Sequence, residues 1–344
     1  MIKFNKILNE IMIEGGVGGH MDHPFDFAAN GGELIDIFNK TIKSLETNPG
    51  SVKIDGVNAS VRLIGDKFAI DRGSAKPLDL KGVRPEDLES RFGPTHGFVK
   101  IGKEVIDILD ESIPSTKDEL KKLGMLDNPN IMLNLEYVSG QTNVVGYGNI
   151  GNFLAIHGLK EIKPRTIGKD GSVKSRAASE IPYDKSVMQS YINKLNQTAI
   201  KHGFKVLGSV DTKFKSKPNL NNALSQNVTL YPEGEAVSKS LSDWLKDVTI
   251  QTPLITRKEF LDVLKSRNIS EDFDGKNIDK LINDTIVYIA TVKMGDEILK
   301  NATSEIGDLE EHEGIVIRDS SIYINPYKIT GSFLIRGMGS EFGK

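Results

Sequence analysis

Lys53-Ile54-Asp55-Gly56-Val57-Asn58 decides how this chain is read. Upstream of it the pattern is helical: Leu34, Ile35, Ile37, Phe38, Ile42 and Leu45 follow Gly32-Glu33 at helical spacing. From residue 51 the pattern alternates. Residues 51–56 and 59–64 read as paired strands, and residues 68–72 as a third. Further out come a helix over about 103–111, a strongly apolar strand at 131–138 and another at 152–158. After about 180 the patterns are mostly helical, at 184–202, 233–247, 256–267 and 276–300, with Pro218, Pro232 and Pro253 between them. Strand character returns at 314–318 and 322–324. At the start, residues 1–13 suggest a short amphipathic helix. Residues 15–19 are glycine-rich but are not followed by the G-K-[ST] of a phosphate loop, so they read as a structural loop.

The bulk numbers exclude several classes. A hydrophobic content of 38% with 26% charged residues is that of an ordinary globular chain. No apolar run approaches the ~20 residues of a membrane span, so no membrane partner is expected. The N-terminus lacks the apolar core of a signal peptide, and cysteine is absent; both suit a cytoplasmic protein. The net charge of −3 rules out a globally basic nucleic-acid binder but not a local basic surface. The candidate surfaces are Lys160, Lys163, Arg165, Lys169, Lys174 and Arg176, around an Asp170-Gly171 turn, and the smaller cluster Lys213, Lys215 and Lys217. Either could be no more than a solvated loop. His20, Asp22 and His23 could hold a metal, though a loop docked on the core is the plainer reading.

A lysine at a strand end beside a glycine has a specific chemical use. Its neutral amine can attack the α-phosphate of a nucleotide and hold it as a phosphoramidate. With a pKa near 10.4, only about one lysine in a thousand is neutral near pH 7.4, so the site must favour the neutral form by desolvation or nearby positive charge. Other residues fit the same task. Asp55 can place the amine or a metal-bound water. Arg72, in Asp71-Arg72-Gly73, can reach a phosphate or ribose with its planar fork. Glu136 can accept from ribose hydroxyls, and Phe153 can stack on a purine. Glu313 can hold Mg²⁺ or Mn²⁺ through waters, and Lys328 can offset charge on the α-phosphoryl group. Taken singly, most have plainer roles: Lys53 an exposed strand lysine, Arg72 and Glu313 a surface ion pair, Phe153 a core residue. Glu136 is harder to dismiss, because an unpartnered carboxylate in so apolar a strand would be costly.

In this order the residues resemble the covalent nucleotidyltransferase superfamily of ATP-dependent DNA ligases, RNA ligases and mRNA-capping enzymes. Lys53-Ile54-Asp55-Gly56 is similar to motif I, Asp71-Arg72-Gly73 to motif Ia, and Leu135-Glu136-Tyr137 to motif III. Phe153 resembles the aromatic of motif IIIa, Glu313-Gly314-Ile315-Val316 motif IV, and Tyr327-Lys328-Ile329 a shortened motif V. Asn58, where DNA ligases carry arginine, is similar to the K-x-x-G-x-N pattern of the phage-type RNA ligase 2 group and joins the expected nucleotide contacts. Motif V departs from the pattern, with Pro326 and Thr330 flanking Lys328; either one phosphate contact is lost or Arg336 supplies it.

The resemblance implies an α+β fold with an ATP-grasp-like nucleotidyltransferase core of antiparallel sheets. The helical patterns after about 180 suggest a mostly helical insertion, and with only 16 residues after Lys328 no C-terminal OB domain is expected. The expected division is an N-terminal helical segment at 1–48, a core at 49–179 plus 304–344, and the insertion at 180–303. The implied activity is ATP-dependent ligation of polynucleotide ends, RNA favoured over DNA, with ATP and Mg²⁺ or Mn²⁺ required. The implied location is the cytoplasm, the host's for a phage protein. The rivals are a DNA ligase, a capping-type or other nucleotidyltransferase with a different acceptor, and a non-catalytic binding protein that keeps the fold.

Overall fold

Asn30 begins the first helix. Its side-chain oxygen accepts the Glu33 amide at 2.9 Å while the Glu33 carboxylate accepts the Ala29 amide at 2.8 Å. The computed structural model describes residues 21–139, 145–147, 150–266, 268–269, 273, 275 and 277–335; the helix expected at 1–13, the loop at 15–19, His20 and Arg336 lie outside them.

In chain order the elements are α1 (Gly31–Leu45), β1 (Ser51–Lys53), β2 (Val57–Asn58), β3 (Val61–Ile64) and β4 (Lys67–Ile70). Helices α2 (Pro77–Lys81), α3 (Leu88–Phe92) and α4 (Phe98–Lys122) follow, then β5 (Ile131–Val138), β6 (Phe153–Ile167), β7 (Val173–Ile181), α5 (Lys185–Ala199) and β8 (Lys205–Leu207). Next come β9 (Thr212–Phe214), α6 (Asn221–Leu224), β10 (Asn227–Pro232), β11 (Val237–Ser240), α7 (Leu241–Lys246), α8 (Arg257–Ser266), β12 (Asn268–Ile269) and α9 (Ile278–Lys300). The last are β13 (Ala302–Ser304), β14 (Gly307–Asp308), β15 (Gly314–Ile317) and β16 (Tyr327–Ile329). This is a mixed α+β fold with sheets that are antiparallel apart from the β6–β8 and β10–β12 pairs.

The described residues divide into two units, one of Asp55–Ser209 and one of Met21–Ile54 with the chain from Val210 onward. The expected boundaries at 180 and 303 fall elsewhere than this division. In the first unit, strands run in the order β4-β3-β5-β6-β7, with β2 on β5 and β8 on β6. Alternation turns Leu133, Leu135 and Tyr137 of β5 toward the apolar faces of α4 and α5 and leaves Asn134 and Glu136 on the other face. The second unit carries three small sheets, β1-β15-β16, β11-β10-β12 and β14-β13-β9, with the helices α1 and α6 to α9.

Several sequence expectations are corrected. Residues 51–53 pair with β15, not with 59–64: Ser51 faces Val316 and Lys53 faces Gly314. The strand 61–64 pairs instead with 67–70. The helix expected at 103–111 runs from Phe98 to Lys122, straight through Pro114. The Ser112 and Thr116 hydroxyls donate to the Leu109 and Ser112 carbonyls around the proline, at 2.6 and 2.9 Å. The helix expected at 233–247 is a hairpin followed by a short helix. Glu233 and Gly234 both take positive φ, and Ser240 caps α7 through the Asp243 amide. Residues 322–324 form no strand, because Tyr323 stacks on Phe27 at 3.9 Å and bonds Asp22 instead. The segment 180–303 is thus less helical than expected, with strands β8 to β12 and part of β13 in it.

Candidate functional site

Within the second unit, three motif residues meet on one small sheet. Lys53 ends β1 opposite Gly314, Lys328 lies in β16 opposite Val316, and Glu313 enters β15 between them. The Lys53 ammonium lies 3.1 Å from Oε2 of Glu313 and donates to its neighbour's carbonyl, that of Ile54, at 3.0 Å. The Lys328 ammonium is 4.0 Å from the other oxygen of Glu313. Gly314 has a φ of 152°, and a side chain there would collide with the Ile329 carbonyl. A glycine after Glu313 therefore lets β15 and β16 close together, which carries Lys328 in beside Glu313.

The three side chains are largely withdrawn from water: Lys53 is 21% exposed, Glu313 13% and Lys328 12%. Burial pushes the Lys328 ammonium below its ordinary value; Glu313 opposes this, and Lys53 and Arg257 add to it. Burial likewise raises the nearby Asp26 carboxyl, against the pull of the His23 amide and of Lys328. Arg257 and Asp26 carry no motif, so the sequence had no signal for either. Next to Glu313, burial lowers the His312 imidazole.

The first unit holds the remaining expected residues on or near the polar face of its sheet. Asn58 of β2 lies directly opposite Glu136 of β5. Glu136 is not unpartnered: its Oε2 lies 3.2 Å from Nε2 of His157. His157 is the extra residue of a β-bulge, since Asn134 pairs with Gly158 and Leu135 with Ile156. A bulge does not show in residue patterning. The Ser60 hydroxyl, 3.3 Å from Asn134, continues the polar row.

Other expected residues are held differently. The Asp55 carboxylate accepts the Val145 amide at 2.8 Å, and its own amide donates to the Tyr147 hydroxyl at 2.6 Å. Gly56 is required by the backbone, because a Cβ would sit 2.9 Å from the Tyr137 carbonyl oxygen. Phe153 is fully buried, its ring edge-on to Tyr147 at 5.1 Å. The Arg72 guanidinium lies over the Phe98 ring, 5.2 Å from its centroid.

Asp71, beside Arg72, proves to be a hub. It is completely buried and meets Nε of Arg62 at 2.7 Å and the guanidinium of Arg176 at 2.9 Å. Arg176 also donates to the Ser74 carbonyl at 2.9 Å. Arg176 belongs to β7, and Asp71 directly follows β4, at the opposite end of the strand order. Strands lie ~4.8 Å apart, so a flat sheet would separate these edges by about 19 Å. The contact requires the sheet to coil, with the β6–β7 hairpin folded over its polar face and the Asp71–Ser74 turn clasped to it.

Of the two basic clusters, the smaller is dispersed: Lys215 pairs with Asp308 and Lys217 with Glu46, each at 2.8 Å. Among the described residues no group of three His, Asp or Glu side chains is arranged to hold a metal, and no helix is long and apolar enough to cross a membrane. Glu313 alone is nevertheless a donor set of the kind Mg²⁺ uses, because that ion commonly takes one or two carboxylates and completes its shell with waters and phosphates. No protein-family model, curated protein or solved structure matches this chain.

Proposed function

We propose that this protein is an ATP-dependent polynucleotide ligase of the covalent nucleotidyltransferase type, with an ATP-grasp-like core and RNA ends as the favoured substrate. One observation carries the reading: Lys53, far in sequence from Glu313 and Lys328 and named with them from motif order, is brought beside them at one three-stranded sheet, with Glu313 between the two lysines.

Lys53 gives up a proton to solvent, its neutral amine attacks the α-phosphorus of ATP, and the nitrogen releases a second proton to solvent as the phosphoramidate forms. A nitrogen–phosphorus bond forms, the bond to the bridging oxygen breaks, and pyrophosphate leaves. The burial that lowers Lys328 marks a site in which an added negative charge is strongly attracted, which suits Lys328 to the transition-state α-phosphoryl oxygens. A divalent cation held by Glu313 would supply further positive charge and polarise the phosphate. Glu136 with Asn58 is suited to ribose hydroxyls, and Arg72 to a phosphate or ribose. AMP then passes to a 5′-phosphate end, and a 3′-hydroxyl seals the break as AMP departs.

The test is a denaturing gel after incubation with α-labelled ATP and Mg²⁺ or Mn²⁺. The expected result is a labelled band that pyrophosphate reverses, that Lys53→Ala abolishes and that Lys67→Ala retains. Label from GTP instead would indicate a capping-type enzyme. No label from either, after pyrophosphate treatment to strip any bound AMP, would leave the non-catalytic binding reading.

A further inference from the structure

From Lys163 to Ser175 the β6–β7 hairpin runs with no buried residue. Burial therefore does not explain its composition. Residues 163–176 contain five basic residues, Lys163, Arg165, Lys169, Lys174 and Arg176, against one acidic, Asp170, in a chain whose net charge is −3. Arg176 is committed to Asp71. Lys163 is paired with Glu161 at 2.6 Å, and Lys174 lies 3.9 Å from Asp170. Arg165 and Lys169 are exposed.

The ladder slips twice in this stretch. Pro164 faces Arg176 and Thr166 faces Ser175, so Arg165 has no opposite residue; Ile167 faces Val173, so neither does Lys174. Bulged residues leave the in-and-out alternation, and bulges twist a ribbon strongly. Here both bulges fall on basic residues. At the root, the Arg176 clasp ties the ribbon to the turn that carries Arg72.

We infer that this ribbon is an arm that grips the phosphodiester backbone of a polynucleotide, through Arg165, Lys169 and Lys174. An exposed, narrow, two-stranded strip with cations on both strands and at the turn suits a linear polyanion that lies along it. A folded acidic protein would call for a broader surface with an apolar centre. The arm contacts phosphates and not bases, because residues 163–177 offer cations but no aromatic ring on which an unpaired base could stack. It therefore adds affinity and register without sequence preference. The inference rests on the polynucleotide part of the proposed function but not on the lysyl-AMP step.

The test uses the full chain and a fluorescein-labelled, 5′-phosphorylated single-stranded RNA. Anisotropy titrations run from about 50 to 200 mM salt, where phosphate contacts dominate the dependence. The triple variant Arg165→Gln/Lys169→Gln/Lys174→Gln should bind roughly tenfold more weakly at the lower salt. Its log–log salt slope should be shallower by about 2, near 0.7 for each lost contact. Lys169→Glu alone, at the turn, should weaken binding in the same direction, which guards against a misfolded triple variant. Labelling from ATP should be unchanged in both.

Wild-type binding that the variants leave within twofold, with the same slope, would overturn the inference. So would ribbon-dependent binding to anionic lipid vesicles with no binding to RNA. Ribbon-dependent RNA binding by a protein that forms no lysyl adduct would uphold the arm and remove the ligase reading. Adduct formation with ribbon-independent RNA binding would do the reverse.

Discussion

Glu313 is the residue on which the second unit's candidate chemistry turns, since both lysines face its carboxylate. Glu313→Gln keeps the shape but removes the negative charge that faces both ammonium groups. The expected outcome is loss of most adduct formation in the gel assay while the fold is retained; undiminished labelling would show that the carboxylate has no part in the step. Gly314→Ala should destabilise by about 1–3 kcal/mol, because its φ of 152° and the Ile329 carbonyl both oppose a side chain. Denaturant midpoints at constant slope would measure this, and an unchanged midpoint would refute it. His312 gives a pH signature. Burial lowers its folded pKa below the ordinary 6.5, with Glu311 pulling the other way. As pH falls below about 6.5, the unfolded chain takes up the proton first, so stability is complete above that pH and is lost below it. Wild type should lose more stability than His312→Gln between pH 7.5 and 5.5 in chemical denaturation; equal losses would contradict this. At this scale the sequence was informative about identity and silent about partners. It singled out Glu136 as a carboxylate in need of company, but His157 supplies that company through a bulge that residue types do not reveal.

Among the elements, the β6–β7 hairpin departs furthest from its sequence signal. Residues 152–158 read as a strand because they are apolar, yet β6 continues to Ile167 through a polar, exposed stretch. That half is held by its ladder with β7 and not by burial, so hydrophobic patterning stops short of it. The Asp170-Gly171 turn was legible, since its signal is local. The clasp at the root was not, because Arg176 and Asp71 are distant in sequence. Arg176→Met should cost about 1.5–3 kcal/mol, since a fully buried Asp71 would keep Arg62 but lose its charge-assisted hydrogen bonds to Arg176. The hairpin should also become a preferred cut site in limited proteolysis. A variant as stable and as resistant as wild type would mean that the clasp holds nothing. Helix α4 also outruns its sequence signal, continuing from Phe98 to Lys122 through Pro114 where the patterning suggested only about 103–111.

For the whole molecule, the division into Asp55–Ser209 and the remainder changes which experiments make sense. Asp55–Ser209 is a continuous stretch with its own apolar core beneath α4 and α5. Expressed alone it should fold, with a cooperative thermal transition and a mixed α+β circular dichroism spectrum. It should form no adduct, because it lacks Lys53. A fragment without a cooperative transition would show that this core is insufficient by itself.

The sequence alone determined the residue types, their order along the chain and the local elements with strong periodicity: α1, α5, α8, α9 and the apolar strand β5. Those depend on interactions within a few residues, which patterning records. Only the tertiary structure decided that 51–53 pairs with 314–316, that Glu313 faces two lysines and that Arg176 reaches Asp71. Strand partners far apart in sequence are chosen by the packing of whole sheets, and buried charges by the need to find a counter-charge once water is gone. Neither selection leaves a mark on the neighbouring residues.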